Sequence, residues 1–223
     1  MATTTESLHT IERSIYDFST VSELKAVLSK QQAEDEHMHG KWRLENYDAA
    51  TTVDNPNDPE LEAQRLQNLL SYNVLDTTHN PELDELTKSA QQQFGVPIAA
   101  ITILDFGRQY FASLQGLEGS GITETPREIA FCAHTIRRKQ CCTDGVLVVP
   151  DATKDARFQN NTLVTGPMNI RFYAGAPIIS PEGHCLGVLC LLDDKPRPEG
   201  LSAAQKKSLK TLAECAMATM LMD

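Results

Sequence analysis

The sequence predicts an α+β domain with one antiparallel sheet flanked by helices. Three observations carry that reading. The near-continuous apolar run "VPIAAITILD" (96–105) is followed, after "DFG", by "RQYFASL". A second pair, "RFYAGAPIIS" and "CLGVLCLLD", is joined by the turn "PEGH". Helical periodicity occurs before the first pair and after the second. Two hairpins bracketed by helices bury their apolar faces most simply as one sheet with helices outside.

Each element follows from its local chemistry. "TVSELKAVL" offers Thr20 and Glu23 as a capping box and Val21, Leu24, Val27 and Leu28 as a stripe, so one N-terminal helix is expected. "ATTVDNPNDP" gathers turn formers and reads as a linker, with Asp58 capping the next helix and Pro59 at its first position. Residues 1–58 are therefore expected to be an acidic extension, and 59–223 the main domain. In "PELEAQRLQNLLSYNVLD", Leu66, Leu69 and Leu70 should face inward. "NPELDELTKSAQQQFG" begins with Asn80 and Pro81 and ends at Gly95, a suitable residue just past a helix end.

After the first hairpin, "QGLEGSGITET" reads as a loop. "TPREIAFCAHTI" then offers Thr125 as N-cap, Pro126 at the first helical position and Glu128 at the third. A helix from Thr125 would put Ile129, Cys132, Ala133 and Ile136 on one buried stripe. His134 would point about 200° away from Cys132, so the two could not form a reactive pair. "GVLVVPD" reads as a short strand, and 152–169 as a long loop or a set of short helices, of the kind that is usually functional. Ser202 and Gln205 cap the last helix. Its stripe is Leu209, Leu212, Ala216 and Met220, and a second apolar set, Ala213, Met217 and Leu221, suggests a surface covered by another chain.

Composition narrows the function classes. The formal charge is −10 over 223 residues, and residues 1–60 hold 12 acidic against 5 basic side chains. Acidity argues against nucleic acid or an anionic membrane as a general partner. No run approaches the roughly 20 apolar residues of a membrane span, and no secretory signal is evident at the N-terminus, so a cytoplasmic location is expected. The six cysteines then read as reduced thiols. None lies in a Cys-x-x-Cys repeat, so no metal site is expected.

The stretches "RLQNLLSYNVLDT", "FGVPIAAITILD", "TPREIAFCAHTI", "VVPDATKDARFQNNTLVTG", "IRFYAGAPI" and "LGVLCLLDDKPR" occur in this order and spacing. Over residues 62–194 the chain resembles the GAF domain, a sensory module of signalling proteins, most closely the bacterial type found before nucleotide cyclase and histidine kinase domains. The resemblance implies an antiparallel sheet with helices on one face and a ligand pocket on the other, walled by the 152–169 loop. Lys154 and Phe158 match the cyclic-nucleotide-binding pattern, whereas Thr153, Thr162 and Leu163 replace its polar members. "CAH" inserts a residue between the adjacent cysteine and histidine of pigment-tethering members. Members that reduce methionine sulfoxide use loop cysteines, but Cys185 and Cys190, five apart in a strand, are expected on opposite faces.

Ligand-binding candidates are Phe131 and His134 on the helix, Asp151, Arg157 and Phe158 in the loop, and Arg171 and Tyr173 on the strand. The aromatics read equally well as core, Asp151 as a turn cap, and the arginines as partners of loop aspartates. No nucleophile and base occur at a defined spacing, so no enzyme activity is expected, and the sequence assigns no cofactor. The leading reading is a stand-alone module that binds a small molecule and signals through a protein partner or a homodimer of terminal helices. The alternatives are an interaction or dimerisation module with a filled pocket, and a thiol redox sensor at Cys141 and Cys142, which follow Arg137, Arg138 and Lys139.

Overall fold

A computed structural model describes residues 59–77, 79–136 and 145–222, with helical backbone at Ser22, Glu23 and Ala26. The rest of the expected N-terminal helix, the linker, the Asp58 cap and the cysteines at 141 and 142 lie outside the described residues.

Helix α1 spans Pro59–Tyr72 and α2 Pro81–Phe94. Asn80 caps α2 by accepting from the backbone N–H groups of Glu82 and Leu83, and Gly95 closes it in the left-handed region at φ 56°. Leu66 and Leu69 are fully buried as expected, but Leu70 is 42% exposed. Glu62 and Arg65 are drawn inward instead, which rotates α1 and leaves Leu70 at the stripe's edge.

Six strands follow: β1 Ile98–Leu104, β2 Arg108–Gln115, β3 Glu124–Pro126, β4 Leu147–Val149, β5 Phe172–Ile179 and β6 Cys185–Asp193. They form one antiparallel sheet in the order β3-β2-β1-β6-β5-β4. Central β1 is buried along its whole length, as its unbroken apolar run requires. The final helix, α5 (Ala203–Met220), opens with the full capping box. Ser202 N–H donates to Gln205 Oε1 at 2.9 Å, and Gln205 N–H donates to Ser202 Oγ at 3.3 Å.

One sheet face, with Ile101, Ile103, Phe172, Ala174, Leu189 and Leu191, packs against the three long helices. The other face carries Ala100, Tyr173, Val188 and Cys190. It is covered by the six-residue helix α3 (Phe131–Ile136) and by the segment between β4 and β5, which contains the one-turn helix α4 (Thr162–Thr165).

Three further expectations are corrected. Thr125 does not cap a helix: it pairs with Gln109 as part of β3, Arg127–Ile129 form a 3₁₀ turn, and α3 begins only at Phe131. Edge pairing with β2 and the burial of Arg127 beside Glu62 override the local capping signal. Cys132, Ala133 and Ile136 are nevertheless buried. The second apolar set on α5 is not left for another chain, because Ala213 and Met217 are buried in the domain's own core and only Leu221 is exposed. Finally, Cys185 and Cys190 share a face. Ile178 pairs with Gly187 and Ile179 with Cys185, so Leu186 is an extra residue in β6 that reverses the alternation.

Candidate functional site

The face under α3 is built on rings. Phe131, the first residue of α3, stacks on Phe158 with centroids 4.1 Å apart and an interplanar angle of 13°, and on Tyr173 at 5.1 Å. His134, one turn later and half-buried, meets Phe158 edge-on at 4.7 Å. The Arg157 guanidinium lies over the Phe158 ring, 5.0 Å from its centroid.

Arg157 also donates to both carboxylate oxygens of Asp155, at 2.9 and 2.5 Å. Burial pushes the Asp155 carboxyl up, but the hydrogen bonds and charge of Arg157 outweigh it and hold the group below the usual range. This pair fixes the cation above the ring.

Tyr173 reaches this face because Gly175, two residues on and on the same side, has no side chain. A Cβ at 175 would overlap the Tyr173 hydroxyl and crowd Val188. The hydroxyl lies 2.7 Å from Thr135 Oγ1 and 3.4 Å from Cys132 Sγ. Burial, and then the neighbouring Cys132 and Cys190 thiols, push the phenol well above its ordinary pKa, so it stays protonated as a donor.

Of the seven residues predicted from sequence, Phe131, His134, Arg157, Phe158 and Tyr173 come together. Asp151 and Arg171 make other bonds. Asp151 accepts from Thr153 N–H and Oγ1 at 3.1 and 2.7 Å and pairs with Lys154 at 3.0 Å, closing its own turn. Those hydrogen bonds, Thr153's first, hold its carboxyl below the usual range. Arg171 donates to the carbonyls of Val164 and Ile170 at 3.0 and 3.1 Å and to Asn169 Oδ1, tying α4 to the start of β5.

Two groups escaped the sequence reading. Cys132, Thr135 and Cys190 surround the Tyr173 hydroxyl. An ionic network, buried at Glu62, Arg65, Asp105 and Arg127 and open to solvent at Asp76, lies where α1, the "DFG" turn and the 3₁₀ turn meet. There Glu62 accepts from Arg65 and Arg127, and Arg108 joins Asp76, Asp105 and Glu124. Neither has a sequence signature, since the partners come from distant segments. A separate groove of about 450 Å³ runs between α2 and α5, lined by Pro81, Glu82, Glu85, Leu86, Cys215 and Thr219.

An antiparallel sheet with long helices on one face and a buried ring stack under short helices on the other is an α+β domain whose family can be identified. The GAF domain family model matches residues 80–220, and the chain belongs to the GAF domain family, whose members are sensory and regulatory modules. A cyclic di-GMP phosphodiesterase of Pseudomonas aeruginosa is 42% identical over 142 residues, covering 64% of this chain and 23% of that protein. The chain thus spans about a quarter of the length of that relative. The fold is shared with the GAF domain of an Acinetobacter phosphoenolpyruvate-protein phosphotransferase, at 17% identity and TM-score 0.50, covering 71% of this chain and 94% of that one. It is also shared with a far-red cyanobacteriochrome photoreceptor, at 16% identity and TM-score 0.51, covering 73% and 97%.

Proposed function

We propose that the chain is a non-catalytic sensory module that takes a small planar ligand under α3 and passes its state to a protein partner or a second copy. The observation that carries this reading is the ring stack. Phe158 lies nearly parallel to Phe131 at 4.1 Å, the geometry a bound heteroaromatic ring would adopt. Phe158 comes from the segment between β4 and β5, which Asn161 ties to the start of α3 by donating from its Nδ2 to the Ile129 carbonyl at 2.9 Å. A ligand ring stacking on Phe131 would displace Phe158, and Arg157 would move with it.

The route outward runs through the terminal helices. Leu221 and Met222 are exposed beyond α5, near the groove it shares with α2, and offer an apolar surface to another helix. The homologous region within a cyclic di-GMP phosphodiesterase supports a regulatory role beside a signalling enzyme. Among the described residues no helix is long and apolar enough to cross a membrane. Cys132, Cys185, Cys190 and Cys215 are free thiols, in keeping with a reducing, cytoplasmic setting.

A second reading is favoured by one fact: Phe158 and Tyr173 have no exposed surface, as expected of an interaction module whose pocket is filled by its own side chains. Thermal-shift and native mass measurements against a panel of nucleotides, flavins and aromatic metabolites separate the two. A saturable shift for one heteroaromatic class, lost in Phe131→Ala where that variant still folds, supports sensing. No shift across the panel, with no co-purified mass, supports the filled module.

A further inference from the structure

The ligand reading makes no use of the groove between α2 and α5. Its volume is about 450 Å³, and its walls are Pro81, Glu82, Glu85 and Leu86 of α2 against Cys215 and Thr219 of α5. Leu86 is half-buried and the Cys215 thiol is exposed, so the floor is apolar and open to solvent. The α2 wall is acidic. Glu82 and Glu85 are both exposed, and Lys88 approaches Glu85 only to 3.9 Å. An occupant should therefore bring aliphatic side chains bordered by positive charge.

The sequence contains such a stretch. Residues 1–60 hold 12 acidic against 5 basic side chains, yet 24–33 carry two lysines, Lys25 and Lys30, and no acid. In a helix Val21, Leu24 and Leu28 recur at i, i+3 and i+7, the spacing by which an amphipathic helix anchors in a groove. Lys25 lies about 40° from Val21, at the edge of that stripe. Ser22, Glu23 and Ala26 have helical backbone and are exposed. All three fall on the arc opposite Leu24 and Leu28.

We propose that residues 20–30 dock as a helix in the α2–α5 groove of their own chain, with Val21, Leu24 and Leu28 against Leu86 and Cys215, and Lys25 toward Glu82 and Glu85.

Tethering decides between the chain's own segment and a second copy. A segment as long as residues 31–58 reaches about 30 Å as a coil, about the diameter of a small domain. It holds the helix at an effective concentration of about 1 mM, well above the free concentration of a second copy at tens of micromolar. A contact of only about 0.1 mM affinity is then made about nine-tenths of the time. Thr219 of the groove wall is followed by Met220 and the exposed Leu221, so a docked segment would also screen the end of α5. That consequence rests on the signalling reading above; the docking does not.

Cys215 reports on the contact. The folded full chain is treated briefly with iodoacetamide, quenched and digested, and alkylation of the Cys215 peptide is followed by mass spectrometry. In wild type the rate should be about tenfold lower than in the double variant Leu24→Glu, Leu28→Glu. Ser22→Glu, on the opposite arc, should match wild type. Cys132, 2% exposed, should stay unmodified in all three proteins, which shows that the domain remains folded. Equal Cys215 rates in wild type and the double variant would overturn the proposal, as would an equal acceleration by Ser22→Glu. A wild-type rate that rises on dilution would also overturn it, by making a second copy the occupant. No ligand or partner enters the measurement, so a failure here leaves the sensory reading standing.

Discussion

Glu62 and Arg127, sixty-five positions apart, meet at 2.6 Å with side chains only 8% and 3% exposed. Glu62 also receives Arg65 at 3.0 and 2.8 Å, so two buried guanidinium groups share one carboxylate. Arg127 further donates to the carbonyls of Asp105 and Phe106, and Arg65 to that of Leu104. Burial pushes both guanidiniums down. At Arg65 the adjacent Glu62 more than reverses this, whereas at Arg127 burial prevails and the nearby Arg65 charge adds to it. The pair joins α1 to the segment that launches α3, four residues before Phe131.

Removing the acid should therefore cost more than its hydrogen bonds. Glu62→Ala leaves Arg65 and Arg127 with only the Asp105 charge, already shared with Arg108, to offset them, and breaking a buried pair from one side costs about 3–5 kcal/mol. Glu62→Gln keeps an acceptor and should lose less. Urea denaturation of the three proteins checks the order. A loss under about 1 kcal/mol for Glu62→Ala, the range of exposed ion pairs, would mean that water replaces the carboxylate.

A second ion-linked contact gives a pH dependence. Glu182, in the β5–β6 turn, accepts from Tyr72 Oη at 2.5 Å and Asn68 Nδ2 at 3.0 Å, pinning the hairpin tip to α1. Tyr72's hydrogen bond, followed by Asn68's, lowers its pKa from 4.5 to about 2. A depressed carboxylate pKa stabilises the fold fully above the unfolded value, and that contribution is lost as pH falls through the folded one. The loss should fall between pH 4.5 and about 2. Tyr72→Phe should bring the pKa back toward its ordinary value and flatten the stability profile across that window. An unchanged slope in the variant would show that the contact is not formed in solution.

Much of this architecture was legible from local pattern. Asn80, Pro81 and Gly95 mark α2, Ser202 and Gln205 mark α5, and the unbroken apolar run marks the buried β1, because each signal acts within a few residues. The errors arose where distant segments decide. Thr125 has good cap chemistry but finds an open β2 edge, and Cys185 changes face because of one extra residue, Leu186. The site was half legible. Aromatic residues in recognisable stretches converged, while Asp151 and Arg171 turned to loop groups that no pattern specifies. The Cys132–Tyr173 contact depends on Gly175 lying beside the Tyr173 phenol, a juxtaposition that no sequence pattern displays.

Gly175 and Tyr173 should accordingly behave as a coupled pair. Gly175→Ala places a methyl against the phenol oxygen and Val188, and overpacking of this kind costs about 1–3 kcal/mol. Tyr173→Phe removes the hydrogen bonds to Thr135 and Cys132, a loss of about 0.5–1.5 kcal/mol for a typical bond. With the hydroxyl gone, part of the overlap disappears, so the double variant should be less destabilised than the sum of the single ones. A double-mutant cycle in urea measures the coupling. Strict additivity would place the Tyr173 ring elsewhere.

The last prediction separates the two sides of α5. Met217 is 5% exposed and packs in the core with Leu209, Ala213 and Met220, whereas Leu221 is 50% exposed beyond the helix end. Met217→Glu would bury a carboxylate with no partner designed for it, a cost of several kcal/mol that unfolds the domain or shifts that acid's pKa strongly upward. Leu221→Glu should leave the melting temperature within about a degree, since exposed substitutions usually change stability by under about 0.5 kcal/mol. If the end of α5 is the contact for a second copy or another helix, Leu221→Glu should also reduce the mass seen by light scattering at tens of micromolar, or weaken capture of that partner. A Met217→Glu variant that melts like wild type while losing association would reverse the assignment and put Met217 on the outer surface.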